Sequence, residues 1–230
     1  MRSPLVVETV FTVGPVPITE PVLVTWGLIA VVALLAAAAK RSLSLRPSPA
    51  QAALEVVVSI VQSHITETMR VASAPYVALI GTLFIFILLA NWSSAIPGIE
   101  PPTAYIETDA ALALIVFLAV IFYGIRVRGP LAYLRTFAEP TLLMVPLNII
   151  ETFTRTFSLI VRLFGNVMSG MFIVGIVLSL AGLLVPIPLM ALELLIGAVQ
   201  AYIFAVLAMV FIGHAVGEPG KPKRSQGIMT

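Results

Sequence analysis

"LNIIETFTRTFSLIVRLFGNVMSG", residues 147–170, threads a series of polar side chains through a run that is otherwise lipid-soluble. The series is Asn148, Glu151, Arg155, Ser158, Arg162, Asn166 and Ser169, with steps of 3, 4, 3, 4, 4 and 3. Such spacing holds all of them on one face of a helix. The opposite face is Leu, Ile, Phe, Val and Met. A stripe that long does not belong in lipid; it faces water, protein, or a surface that moves past it. Arg162 stands near its middle, with apolar residues extending over two turns on each side, so snorkelling to an interface is poor. Its guanidinium cannot lose its proton to escape hydrocarbon. Inserting an arginine at the bilayer centre costs about 2.5–3.5 kcal/mol. One ion pair, for instance with Glu193, offsets that cost and is the structural alternative. A single pair does not require so many aligned polar groups, and ionisable residues within membranes are functional by default.

Composition places this stripe in a membrane protein. Of 230 residues, 60% are hydrophobic and 10% charged, whereas a soluble domain carries about 25% charged residues. The formal charge of +2 says nothing for nucleic acid, because the basic residues are scattered among apolar runs. Cysteine is absent, which excludes disulfides and thiolate metal sites. No Gly-rich phosphate loop, HExxH or GxSxG occurs, so ordinary hydrolytic or nucleotide chemistry within this chain is not expected. No metal, cofactor or nucleic-acid partner is expected either.

Charge and periodicity predict an all-α fold: about five membrane-crossing helices and one amphipathic helix, ending in a long, strongly tilted helical hairpin. Residues 1–21 are expected outside. Span one (22–39) follows Glu8 and Glu20 and precedes Lys40, Arg41 and Arg46. That is the reverse of a signal peptide's charge order, and it sets the N-terminus outside by the positive-inside rule. Residues 48–72 carry Gln51, Glu55, Gln62, Thr66 and Arg70 near helical spacing and are expected to lie along the cytoplasmic surface. Span two is 76–96. The following loop holds Glu100, Glu107 and Asp109, and span three (110–125) returns to Arg126, Arg128 and Arg135. The tilted hairpin has arms at 141–184 and 189–215, turning at "VPIP" (185–188), and a cytoplasmic tail follows from 217 to 230. As one helix the first arm would reach about 66 Å against a hydrocarbon core of about 30 Å, so it must tilt, kink or lie partly in the membrane plane. Pro146 serves either as a first-turn residue or as a kink. No repeat or soluble domain is visible, so the chain reads as one polytopic domain. The second arm sets Glu193, Gly197, Gln200 and Phe204 on one face, and folding it back brings Glu193 and Gln200 toward the stripe, with Gln200 a candidate hydrogen-bond neighbour of Arg162. His64 and His214 read as surface or interface residues, Trp26 and Trp92 as an aromatic belt.

"SLIVRLFGN" (158–166) resembles the signature of subunit a of the rotary F-type ATP synthase, the static ion-channel subunit of its membrane sector. "NWSSAIPGIEPPTA" (91–104), "ALAL" (111–114) and "QAYIFAVLAMVFIGHA" (200–215) extend the resemblance over roughly residues 76–215. It implies two aqueous half-channels carrying protons or sodium ions to and from carboxylates of a rotating c-ring, separated by Arg162. It implies Glu193 and Gln200 in the outer half-channel, and Asn166 and Ser169 hydrogen-bonding near the arginine. Asn148, Glu151, Arg155 and Ser158 would line the inner one, although Glu151 and Arg155 also suit a simple i, i+4 pair. The sequence departs from the family pattern at Met171, Tyr105 and Glu107, so ion inlet is expected through Glu107, Asp109 and Glu193. The partners implied are the c-ring, the peripheral stalk subunit b, the lipid bilayer and, indirectly, the F1 sector. The chain would hold no catalytic site of its own while forming part of an ATP synthase. Its expected location is an energy-transducing membrane, the bacterial inner membrane, with the C-terminus cytoplasmic. A secondary transporter is the rival class, but it would show duplicated halves with broken helices.

Overall fold

The computed structural model describes residues 9–13, 16–42, 49–96, 99–137, 144–182 and 185–217. The basic tail residues Lys221, Lys223 and Arg224 lie outside these, as do Glu8 and Arg46. The expected all-α architecture is present, with seven helices among the described residues. They are α1 (Glu20–Ser42), α2 (Pro49–Met69), α3 (Ala74–Trp92), α4 (Ile106–Arg128), α5 (Pro130–Phe137), α6 (Met144–Ala181) and α7 (Pro186–Val216). Five of them, all but α2 and α5, are long and apolar enough to cross a bilayer.

The helix ends follow local chemistry. Acidic residues open α1 (Glu20) and α4 (Glu107, Asp109), and basic residues close them at Lys40, Arg41, Arg126 and Arg128. Both placements complement the helix dipole. Proline begins α7 at Pro186, where a missing N–H costs nothing. That corrects the expected turn at 185–188: only Val185 is turn, and Pro188 already lies in the helix. Pro146 likewise sits in the first turn of α6 rather than at a kink, and α6 runs unbroken for 38 residues. At about 1.5 Å per residue it is about 57 Å long, so it fits a core of about 30 Å only if steeply inclined. Two elements were not anticipated. A short antiparallel hairpin, β1 (Thr9–Val13) with β2 (Val16–Thr19), occupies the expected N-terminal segment, and α5 follows Gly129.

Helix α7 is the centre of the bundle, packed by α2, α3, α4 and α6. Ile65, Ile80, Ile87, Val116, Leu163, Phe204 and Ile212 form its buried core. Because lipid tails are as apolar as leucine, burial alone does not hold such helices together, and interhelical hydrogen bonds matter. Asn91 supplies two: its Nδ2 donates to the Gly197 carbonyl (2.9 Å) and its Oδ1 accepts from Thr103 Oγ1 (2.7 Å). Trp92 Nε1 donates to the Leu194 carbonyl at 3.0 Å, so this belt tryptophan also pins α3 to α7. Asn91→Ala strips both contacts and strands the buried Thr103 hydroxyl. An unmet buried partner costs about 1–3 kcal/mol, so the thermal midpoint of the detergent-solubilised protein should fall; an unchanged midpoint would refute the pin.

At the opposite end, Arg128 Nε donates to the Val216 carbonyl at 3.0 Å, capping α7. Gly217 follows with φ +69°, and any Cβ there would collide with the Arg128 guanidinium at 1.7 Å. Only glycine accommodates both the backbone and the cap.

Candidate functional site

The segment Ile99–Tyr105 is not a surface loop. Pro101, Pro102, Thr103, Ala104 and Tyr105 are all buried. Ala104 and Tyr105 pack on Val167 and Met171 of α6, while the Tyr105 hydroxyl donates to Glu100. Burial, then the bond to Glu100, pushes the Tyr105 hydroxyl pKa well above the usual tyrosine value. The tyrosine therefore remains a neutral donor. Thus Met171 is wrapped by the loop, and a carboxylate, Glu100, is held by the tyrosine beside it.

Two cavities flank the middle of α6. The first, about 250 Å³, lies toward the Gly217 end, among Tyr133, Asn148, Glu151, Arg155, Phe211 and His214. The second, about 130 Å³, lies toward the loop end, among Asn91, Asn166, Ser169, Gly170, Glu193 and Gly197. The nearest α6 residues lining them are Leu159 and Asn166, a separation of about 10 Å along the axis. Arg162 falls in that interval. It is exposed, on the face of α6 turned away from the chain's own core, and it makes no hydrogen bond or ion pair with any described residue. Leu159, Leu163 and Val167 form the buried face instead.

The predicted residues divide accordingly. Glu193 is half-buried in the loop-end cavity, and a Cβ at Gly170 would lie 2.9 Å from its Oε1. The missing side chain makes the room for this carboxylate. Asn166 and Ser169 line the same cavity, but Ser169 Oγ donates to the Asn166 backbone carbonyl (3.1 Å) and neither reaches Arg162. Gln200 is buried with Nε2 unpartnered among the described residues, so the expected Gln200–Arg162 bond is not made within the chain. Nor do Arg162 and Glu193 form the structural pair that was the alternative; on α6 it is Arg155 that pairs, with Glu151. That i, i+4 pair forms, and both of its residues line the Gly217-end cavity. Arg155 also lies over the Phe211 ring, 5.4 Å from its centroid. Asn148 lines this cavity as well, whereas Ser158 is exposed on the Arg162 face. Asp109 is fully buried with neither oxygen hydrogen-bonded among the described residues, while Glu107, two positions earlier, is exposed.

Sequence reading missed Asn91, Gly170 and Tyr133; His214, expected at the surface or an interface, is exposed and also lines the Gly217-end cavity. An amide closing the otherwise apolar α3 was the one available signal; the rest depend on which helix faces which. Gly170→Ala tests the glycine. Alanine favours the helix by up to about 1 kcal/mol, and the displaced atom is the far end of a flexible side chain. The fold should hold or gain stability while ion flux through the assembled complex drops several-fold. Wild-type flux in that variant would show that the Glu193 position is immaterial.

Residues 22–213 match the family model described as ATP synthase A chain. The chain belongs to that family. It is 55% identical, over 95% of its own length and 98% of the relative's, to ATP synthase subunit a 2 of Bradyrhizobium sp.. Identity is 45% to ATP synthase subunit a 2 of Picosynechococcus sp., covering 87% of each chain. It is 44% to ATP synthase subunit a of Albidiferax ferrireducens, covering 91% of this chain and 92% of that one. The resemblance read from "RLFGN" and its surroundings is therefore sound. This member of the family is a multi-pass membrane protein, with five helices of spanning length among the described residues.

Proposed function

We propose that this A chain is the ion-translocating stator of its ATP synthase, working against a rotating c-ring and anchored by the peripheral stalk subunit b. The F1 sector is coupled to it through that rotation. The loop-end cavity is the outer half-channel and the Gly217-end cavity the inner one; the N-terminus lies outside and the C-terminus in the cytoplasm of a bacterial inner membrane. The carrying observation is Arg162: an exposed, permanent cation with no ion-pair partner among the described residues, between two cavities at opposite ends of the bundle.

The chemistry follows from charge in hydrocarbon. A ring carboxylate crossing lipid must be neutral, and beside a fixed cation its anionic form is favoured. Arg162 therefore takes the ion from each arriving acid, holds the anion briefly, and repels cations that would leak directly from one cavity to the other. Lysine would be inferior there, because an apolar site can neutralise it. Glu193, with Gln200, Asn166 and Ser169 nearby on the same side, relays the ion inward from Glu107 and Asp109. Asn148, Glu151, Arg155 and Ser158 accompany its exit. Each elementary charge moved across 100 mV supplies about 2.3 kcal/mol, and successive steps accumulate into rotation. Reconstituting the membrane sector in vesicles with and without the ring tests the assignment. Ion conduction should require both; conduction by this chain alone would favour a transporter or simple channel.

A further inference from the structure

We infer that His214 is the proton-exchanging group of the Gly217-end cavity, accepting and releasing each proton at its cytoplasmic mouth. The inference rests on the inner-pathway reading above and adds both a residue and an ion, the proton, to it. His214 is an exposed residue in the last turn of α7 and lines the cavity with the Glu151–Arg155 pair. The charged and titratable groups around it come from every neighbouring element. Helix α6 presents Glu151 and Arg155, with Arg155 engaged by Glu151 and by the Phe211 ring one turn before His214. From α5 comes Tyr133, whose hydroxyl pKa is raised by burial and pulled down by Arg128. Helix α4 sends Arg128 to the Val216 carbonyl, two residues beyond the histidine. Helix α2 meets α7 where Met69 packs on Gly213, and its adjacent charged residue is Arg70.

In that set the arginines are permanent cations, Glu151 is engaged in its ion pair with Arg155, and burial holds the Tyr133 hydroxyl above its ordinary range. Histidine is the side chain whose charge ordinarily changes between pH 5 and 8. His214 is the imidazole on this cavity's lining, and its ring nitrogen can take up a proton and give it back, which the guanidiniums beside it cannot. The step balances simply. The lone pair of the imidazole takes a proton that a ring carboxylic acid has given up, leaving the carboxylate opposite Arg162. The imidazolium N–H then passes the same proton to water or buffer in the cytoplasm. While His214 stays protonated it adds to the cationic field of Arg155 and Arg128, and a second proton is turned back. Low cytoplasmic pH should therefore slow proton exit, and the slowing should follow the titration of this one group.

The test uses the intact ATP synthase in vesicles, with the cytoplasmic face open to the medium. ATP-driven proton pumping and passive proton conduction are followed as that side is taken from pH 5.5 to 8.5. The wild-type rate should pass through a single-proton step. His214→Gln should lower proton flux about five- to tenfold near pH 7.5 and remove the step. His214→Glu, titratable again, should restore flux with its step moved to lower pH. Wild-type rate and profile in H214Q, or a loss in H214E equal to that in H214Q, would overturn the inference. Arg162→Ala run in parallel keeps the two readings apart. Abolished coupling there with normal behaviour of H214Q removes the histidine alone, whereas full coupling in R162A removes the pathway itself.

Discussion

Arg162→Ala is expected to abolish coupled ATP synthesis and ATP-driven pumping while leaving the subunit folded and assembled. The two halves of that expectation have separate causes. An opposite charge within about 4–6 Å lowers a carboxylate's pKa by about 1–3, so removing the cation should slow ion release from a ring acid by about 10²-fold. Direct leakage between the cavities should appear as well, since nothing of fixed charge would then separate them. Stability should hardly change, because Arg162 is exposed and has no partner within the described chain, and such substitutions usually stay within about 0.5 kcal/mol. Arg162→Lys should recover little, for the reason of neutralisation given above. Synthesis driven by an imposed ion gradient, alongside blotting of the assembled complex, reads both halves. Full coupled synthesis by the alanine variant would remove Arg162 from the mechanism.

The second large effect is expected at Glu193. Glu193→Gln keeps the shape of the side chain and its place over Gly170 but loses the site for an ion. Flux should fall about 10²-fold, the low end of one general acid–base group's contribution, while the ratio of ions moved to ATP made stays as in the wild type. Coupling survives because Arg162 still parts the cavities. An unchanged flux would make Glu193 a merely structural polar group of α7. A fall in coupling ratio with flux maintained would put it at the barrier instead of in the outer inlet.

Much of this architecture was legible before any coordinates. The 3.6-residue period forces the polar stripe of residues 148–169 onto one face of α6, and a hydrocarbon core of about 30 Å forces apolar runs such as 76–96 to be spans. The same arithmetic makes the final hairpin too long to stand upright. What periodicity could not tell was how much of the stripe the chain covers itself. Leu159, Leu163 and Val167 turn inward, Arg155 and Asn166 lie half-buried along the flanks, and Ser158, Arg162 and Ser169 are left outward. A helix face is a local property, but its neighbours are not. The candidate hydrogen bond between Arg162 and Gln200 is not made for that reason, since Gln200 is buried on α7 while Arg162 is turned outward.

By itself, then, the sequence determined the number of spans, the alignment of the polar residues and the family, because hydrophobic period and motif are properties of a linear string. Only the packing of α4, α5, α7 and the Ile99–Tyr105 segment against α6 decided the rest. It set Glu193 in the space that Gly170 leaves, drew the Ile99–Tyr105 loop over Met171, and brought His214 to the cavity of Glu151 and Arg155. Those are meetings between residues about 20 to 70 positions apart, and they depend on crossing angles and helix rotations that no local pattern encodes.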